Sequence, residues 1–278
     1  MDKGNVMMHW MTLGELKASS VQSPSLLKTA QWIEDFAAKP NVNLGRAGVV
    51  CPFIPRSLKL ETLQIVEISA LEMSQSELES LIRDCRDTFL QQFPQRGKLS
   101  LYKALIFVFS DISEDQCDYI DQIQQKLKPF FVEKRLMLGE FYPGNQSQGL
   151  HNPDFRPLQS PVPMLVIRSM TEPDLPFLSR ETDAPEVRVK FLESYLEQMS
   201  ILGHSSRLDE AHQALAGAHQ ALNHEQLDGE LFSRCPVKRL ERVIKQKFLL
   251  AKSLLEIQYK QLSYLLGKAL PKLVSLIT

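Results

Sequence analysis

The sequence predicts an α/β domain, an α+β sandwich on a single sheet of at least four strands, followed by a C-terminal helical hairpin or bundle. Three observations predict it. Between Leu63 and Ser169, apolar runs of strand length alternate with capped helical patterns. After Pro185 the strand signals stop and helical periodicity continues to the end. A hydrophobic content of 44% and a charged content of 23% match a globular chain with a sizeable core. A ferredoxin-like arrangement fits the strand count, with strand order left open. Three regions follow: a peripheral N-terminal segment over 1–24, an α/β domain over 25–183 that carries a proline-rich site loop, and a helical domain over 184–278.

The elements follow in order. Ser25 to Ala38 reads as a helix capped by Ser25, with Leu26, Ala30, Ile33 and Ala37 at helical spacing. Pro40 ends it. Leu44 to Leu58, LGRAGVVCPFIPRSL, is a shaped loop: two glycines and two prolines surround a short apolar run. Leu63 to Leu71 is strand-like. Ser74 and Glu77 form a capping-box pattern, and that helix runs to about Phe93, burying Leu78, Leu81, Ile82, Cys85 and Phe89. Leu101 to Phe109 is a buried strand. Ser113 caps a second helix, with Leu127 near its end before Pro129. Arg135 to Tyr142 and Met164 to Ser169 are the third and fourth strands. Glu186 to Leu202 is helical and stopped by Gly203. Ser206 starts another helix, in which AHQALAG (Ala211–Gly217) is followed by AHQALNH (Ala218–His224). Leu208, Ala211, Leu215, Ala218 and Leu222 then form a coiled-coil-like seam. A last helix begins near Pro236, with Leu240, Ile244, Phe248, Ala251, Leu255, Leu262, Leu266 and Ala269 on one face. Two narrow seams are buried by each other or by another chain, which points to a homo-oligomer through the C-terminal helices.

The net charge of −1 gives no global reason to expect nucleic acid, and no basic patch interleaved with aromatics is present. The charge is uneven. From Cys235 onward, nine Lys/Arg and two Asp/Glu give +7, which leaves −8 on the rest. The basic last helix is expected to dock on the acidic body, or to meet a membrane surface or an acidic partner. No apolar stretch reaches the ~18 residues needed to span a bilayer. The N-terminus lacks a basic region followed by an apolar run, so a cytoplasmic location is expected. Cys51, Cys85, Cys117 and Cys235 are widely spaced, with no zinc-like grouping. Phosphate-binding glycine loops, GxSxG and HExxH are absent.

The chemistry-bearing candidates cluster in Leu138–Leu178, which holds roughly half of the chain's sixteen prolines. Proline fixes φ and removes a donor, so this stretch is neither ordinary helix nor central strand over most of its length. Long loops inside a compact domain are usually functional or disordered, and the aromatic and aliphatic content argues against disorder. Within it His151 sits in a turn, as a metal or heme ligand, an acid/base, or a residue that ties the loop. Cys51, in Val-Cys-Pro-Phe, is either a thiolate presented by its proline or a core residue. Cys235 repeats the Cys-Pro pair. Arg156 and Arg168, with Arg46 and Arg56, flank the two Gly/Pro loops and suit carboxylates such as heme propionates, or structural salt bridges. Glu140, Tyr142 and Asn145 precede the His151 loop. The histidines at 204, 212, 219 and 224 read as a solvated helical face.

The stretches Gly45-Arg46-Ala47-Gly48-Val49-Val50-Cys51-Pro52-Phe53, Leu138-Gly139-Glu140-Phe141-Tyr142-Pro143, Leu150-His151-Asn152-Pro153-Asp154-Phe155-Arg156-Pro157-Leu158 and Ser160-Pro161-Val162-Pro163-Met164-Leu165-Val166-Ile167-Arg168 resemble a bacterial domain family of unknown function, over about residues 30–180. More remotely, the layout resembles heme-dependent N-oxygenases. In that pattern a Cys/Pro turn comes early, and a histidine-proline turn precedes an arginine and a strand ending in Leu-Arg. Here Cys51-Pro52, His151-Asn152-Pro153, Arg156 and Ile167-Arg168 take the analogous places. Asn152 separates the histidine from its proline, and the early turn has a different order. The resemblance implies heme as cofactor, His151 as its metal ligand, and Arg156 and Arg168 on propionates or substrate. Cys51, Phe53, Tyr142 and Phe155 would help to line the pocket.

Two main functional readings from different classes result, with a third beside them. One is a heme-binding protein, a heme-dependent oxygenase acting on an amino-acid-like or other small polar substrate. The other is a non-catalytic α/β module with a helical protein-interaction arm. A third is a cofactor-free enzyme using Glu140, Tyr142 and His151 as acid/base groups.

Overall fold

The computed structural model describes residues 9–20, 23–92, 94–95, 97–203 and 205–234, with side chains through Glu225. Five strands make one mixed sheet: β1 (Met11–Thr12), β2 (Leu63–Ile68), β3 (Ala104–Phe109), β4 (Leu136–Phe141) and β5 (Met164–Ser169). Their order is β1-β2-β3-β5-β4. β2 and β3 are parallel; β5 runs antiparallel to both β3 and β4, and β1 antiparallel to β2. The helices are α1 (Leu13–Ala18), α2 (Pro24–Trp32), α3 (Ile54–Lys59), α4 (Gln75–Gln91), α5 (Asp118–Val132), α6 (Leu175–Leu178), α7 (Pro185–Leu202) and α8 (Leu208–Arg234).

The α+β class and the single sheet are as the sequence predicts. The ferredoxin-like variant is corrected. That fold needs β-α-β-β-α-β, whereas the four main strands here run β-α-β-α-β-β. β5 returns as a hairpin partner of β4 and inserts beside β3. The proline-rich segment is the long loop of that hairpin.

Strand alternation sorts the core into two layers. On one face Val66, Ile68, Leu105, Phe107, Phe109, Leu136, Leu138, Leu165 and Ile167 pack on Leu78, Ile82 and Phe89 of α4 and Ile120, Ile123 and Leu127 of α5. On the other, Leu63, Ile65, Ile106, Val108 and Met164 pack on Leu16 of α1 and on Leu26 and Ala30 of α2. β4 is an edge strand, and the side chain of Gln124 on α5 donates to its Leu138 carbonyl at 2.9 Å, which blunts that edge.

Several boundaries differ from the sequence reading. Residues 11–18, expected to be peripheral, supply β1 and the buried Met11, Leu13 and Leu16. A two-residue strand is too short to show alternation. The cap of α2 is Ser23 rather than Ser25, because Pro24 is preorganised for the first helical position and Ser23 Oγ accepts from Leu26 N. The last turn of that helix widens into a π-helix over Ile33–Ala37, with Ala38 N bonding to Ile33 O at 2.9 Å. β2 stops at Ile68, and β3 begins at Ala104 after a 3-10 turn over Lys98–Tyr102. α5 continues through Pro129 to Val132, since burial of Phe131 and Val132 outweighs the lost backbone donor. The capping box at Ser74 and Glu77 is formed.

The chain divides into two units at Ala218/His219. In the first, α7 packs on α5 and α6 and ends at Gly203 in the left-handed conformation. The expected last helix from Pro236, its seam, and Cys235 lie outside the described residues, as does His204.

Candidate functional site

The chain leaves β4 in two directions at once. Phe141 points to the α2 face and Tyr142 to the α4/α5 face, as consecutive residues of a strand must. The proline-rich loop then crosses the sheet end. It is held by its own backbone: Tyr142 N to Leu158 O, Ser160 N to Tyr142 O, Gly149 N to Phe155 O, and Phe155 N to Asn152 O. Asn145 is buried, accepts from Ser147 N through Oδ1, and leaves Nδ2 without a partner.

The Cys51 loop and the His151 loop meet. Asn152 Nδ2 donates to Asn43 O at 2.8 Å, and Gly45, at φ +76°, lies directly against the His151 carbonyl. Beneath them an aromatic cluster links the π-helix to both ends of the loop. Trp32 stacks on Phe36 at 5.5 Å, Trp32 meets Phe141 edge-on at 5.9 Å, and Phe36 lies 6.1 Å from Phe155.

The seven residues named for a cofactor fall into three groups. His151, Phe155 and Arg156 belong to the loop just described. His151 is exposed, and Phe155 is buried against Phe36. Arg156 donates to the Pro153 and Phe155 carbonyls, tying its own turn. Cys51, Phe53 and Arg168 form a second group toward the other end of β5, where Arg168 pairs with Ala104, the first residue of β3. Phe53 lies 6.0 Å from Tyr102, with the Arg56 guanidinium over that ring. Arg168 makes a bidentate pair with Asp174, Nη1 to Oδ2 at 2.7 Å and Nη2 to Oδ1 at 2.6 Å. Burial opposes the Arg168 charge, but Asp174 and the nearby Cys51 hold its pKa above the usual arginine value. Of the two readings open for Arg168, the structural salt bridge is the one formed.

Tyr142 stands in the third group, on the opposite sheet face. Its hydroxyl donates to Asp121 Oδ2 at 2.8 Å. Burial pushes the Asp121 carboxyl up despite that bond, and burial together with Asp121 raises Tyr142. Glu140 is also raised, first by burial and then by Asp121, against the pull of Arg180 and Lys128. Lys128 donates to Phe177 O at 2.9 Å and faces Asp183 at 3.8 Å. This is a mixed acid/base group at the β4 edge, and His151 is not part of it. The sequence reading missed Asp121 and Lys128; their signal is a polar stripe at 121, 124 and 128 on an otherwise apolar-facing helix.

Among the described residues, no group of three or more His, Cys, Asp and Glu side chains could hold a metal ion. The described residues near His151 do not fit a heme as they stand. Arg156 donates to carbonyls of its own turn, Arg168 is held by Asp174 toward the other end of β5, and the aromatic rings beneath the loop pack on one another.

An α+β domain with a rigid hairpin loop and an attached helix is thus defined. The chain belongs to the DUF6875 family, a domain of unknown function, which it matches over residues 26–208. No curated protein and no solved structure matches it.

Proposed function

We propose that the chain is a non-catalytic α/β module whose helical arm brings two or more copies together. A coincidence of boundaries supports this reading. The family match ends at residue 208, and α8 begins at Leu208 and continues unbroken to Arg234. At ~1.5 Å per residue the helix is about 40 Å long, more than a small domain needs to close its core. Leu208, Leu215 and Leu222 recur every seven residues, with Ala211 and Ala218 between them. Ala211 and Ala218 are buried, Leu208 is exposed, and Leu215 and Leu222 are half-buried, so apolar surface remains along the arm. The near-repeat of seven lets identical helices meet in register, so the partner is a second copy of the chain.

Light scattering on the full chain tests this. An oligomer that falls to a monomer when Leu215 and Leu222 are both replaced by glutamate supports it. A monomeric wild type overturns it.

The heme reading, a heme-dependent oxygenase acting on an amino-acid-like or small polar substrate, requires Arg156 and Arg168 to leave the acceptors they now hold, and one observation favours it. The Cys-Pro loop and the His151 loop, which carry the resemblance to heme-dependent N-oxygenases, pack on each other. An absorbance spectrum of protein produced with heme supply tests it. A Soret band near one equivalent would support it, and no band would remove it.

A further inference from the structure

Lys103 precedes β3 and is 4% exposed. Its Nζ donates to Phe89 O at 2.6 Å and to Gln92 O at 3.1 Å, and it sits 4.5 Å from the centroid of the Phe89 ring. Among the described residues no carboxylate pairs with it. An ammonium has three donors and needs a counter-charge when buried. A neutral amine has two N–H groups and one lone pair. The two carbonyls engage both N–H groups of the neutral form and leave its lone pair unclaimed. Burial accordingly pushes the Lys103 pKa down to about 8.

Lys103 lines a cleft of about 240 Å³ with Glu61, Thr62, Gln64 and Gln92. A water molecule takes roughly 30 Å³ of liquid, so the cleft admits a small organic molecule. Glu61 is the other ionisable group on the described wall and stands at φ 52°, a left-handed conformation uncommon for glutamate. Thr62 and Gln64 face the cleft from the start of β2, and Gln92 from the end of α4.

We propose that Lys103 is a nucleophilic amine that condenses with a small carbonyl compound in this cleft. The Nζ lone pair attacks the carbonyl carbon, forming a C–N bond and moving the π pair onto oxygen. That oxygen takes up a proton. The carbinolamine then loses water, both N–H protons having left nitrogen in the course of addition and dehydration. Amine plus aldehyde thus give imine plus water, with no oxidant or reductant. Condensation releases the bonds to Phe89 O and Gln92 O, so product formation loosens the end of α4.

The test uses the full wild-type chain, acetaldehyde as the probe, and cyanoborohydride to trap the imine, with peptide mapping by mass spectrometry. Other lysines, such as the exposed Lys17, Lys59 and Lys126, serve as internal comparators. A lysine near pKa 8 holds far more neutral amine at pH 7.5 than one near 10.4. Lys103 should therefore be ethylated at least about tenfold faster than the comparators, at a rate that levels off above pH ~8. Labelling of Lys103 no faster than the comparators in folded protein, or only after denaturation, would overturn the proposal and leave Lys103 as a cap on α4.

Discussion

A Cβ built on Gly45 lies 2.5 Å from the carbonyl oxygen of His151 and 2.7 Å from its carbonyl carbon. Two loops more than a hundred residues apart in sequence are thus pressed backbone to backbone. Gly45 also adopts φ +76°, the left-handed region that costs other residues about 1–2 kcal/mol. Gly45→Ala therefore carries both backbone strain and a clash with main chain that cannot rotate away. The expected loss is about 2–3 kcal/mol of unfolding free energy, read from urea denaturation. An unchanged midpoint would mean that the two loops are not tied at this point.

Asp174 is nearly fully buried. Its Oδ2 accepts from Arg168 Nη1, Thr171 N and Thr171 Oγ1, while Oδ1 accepts from Arg168 Nη2. Asp174→Ala leaves the guanidinium without its partner and the Thr171 amide without an acceptor. A broken buried pair costs about 3–5 kcal/mol. The Arg168 side chain is 34% exposed, so water recovers part of that, and the lower end is expected. Arg168→Met strands the Asp174 carboxylate, which is the more buried partner and keeps only its two Thr171 donors, so it should cost at least as much as Asp174→Ala. The two urea midpoints decide the order.

Glu140 carries a raised pKa because burial disfavours its charge. The folded protein therefore holds the proton more tightly than the unfolded chain does. Stability falls as pH rises from the ordinary carboxyl value, about 4.3, through the raised one. Glu140→Gln removes this penalty. The variant should be more stable than wild type at pH 7 and show no such gain near pH 4. Thermal midpoints at the two pH values check it. A loss at pH 7 would show that Lys128 and Arg180 need the carboxylate.

Much of the fold is legible in the sequence, for local reasons. The Ser74/Glu77 box, the Ala104–Phe109 run and Gly203 each declare themselves within a few residues. The insertion of β5 between β3 and β4 does not, because pairing between strands far apart in sequence leaves no mark in periodicity. The candidate site is legible as a rigid loop and as a contact between two Gly/Pro-rich segments. Its chemistry is less legible. Arg168 suits a propionate and a carboxylate side chain equally well, and Asp174 is simply the nearer acid. Lys103 is one lysine before an apolar strand, and only the carbonyls at the end of α4 distinguish it.

His151 is the remaining test of the loop. Its imidazole is exposed, while its main chain supports Gly45. Removing the ring removes little buried surface. His151→Ala should therefore shift unfolding free energy by no more than about 0.5 kcal/mol, the range of ordinary surface substitutions. The contrast with Gly45→Ala separates the residue's backbone role from its side-chain role within one loop contact. The same variant also tests the heme reading. If protein produced with heme supply shows a Soret band, and His151→Ala loses it at unchanged stability, the imidazole is the ligand. A band that survives in His151→Ala moves the assignment to Cys51, which stands near Arg168.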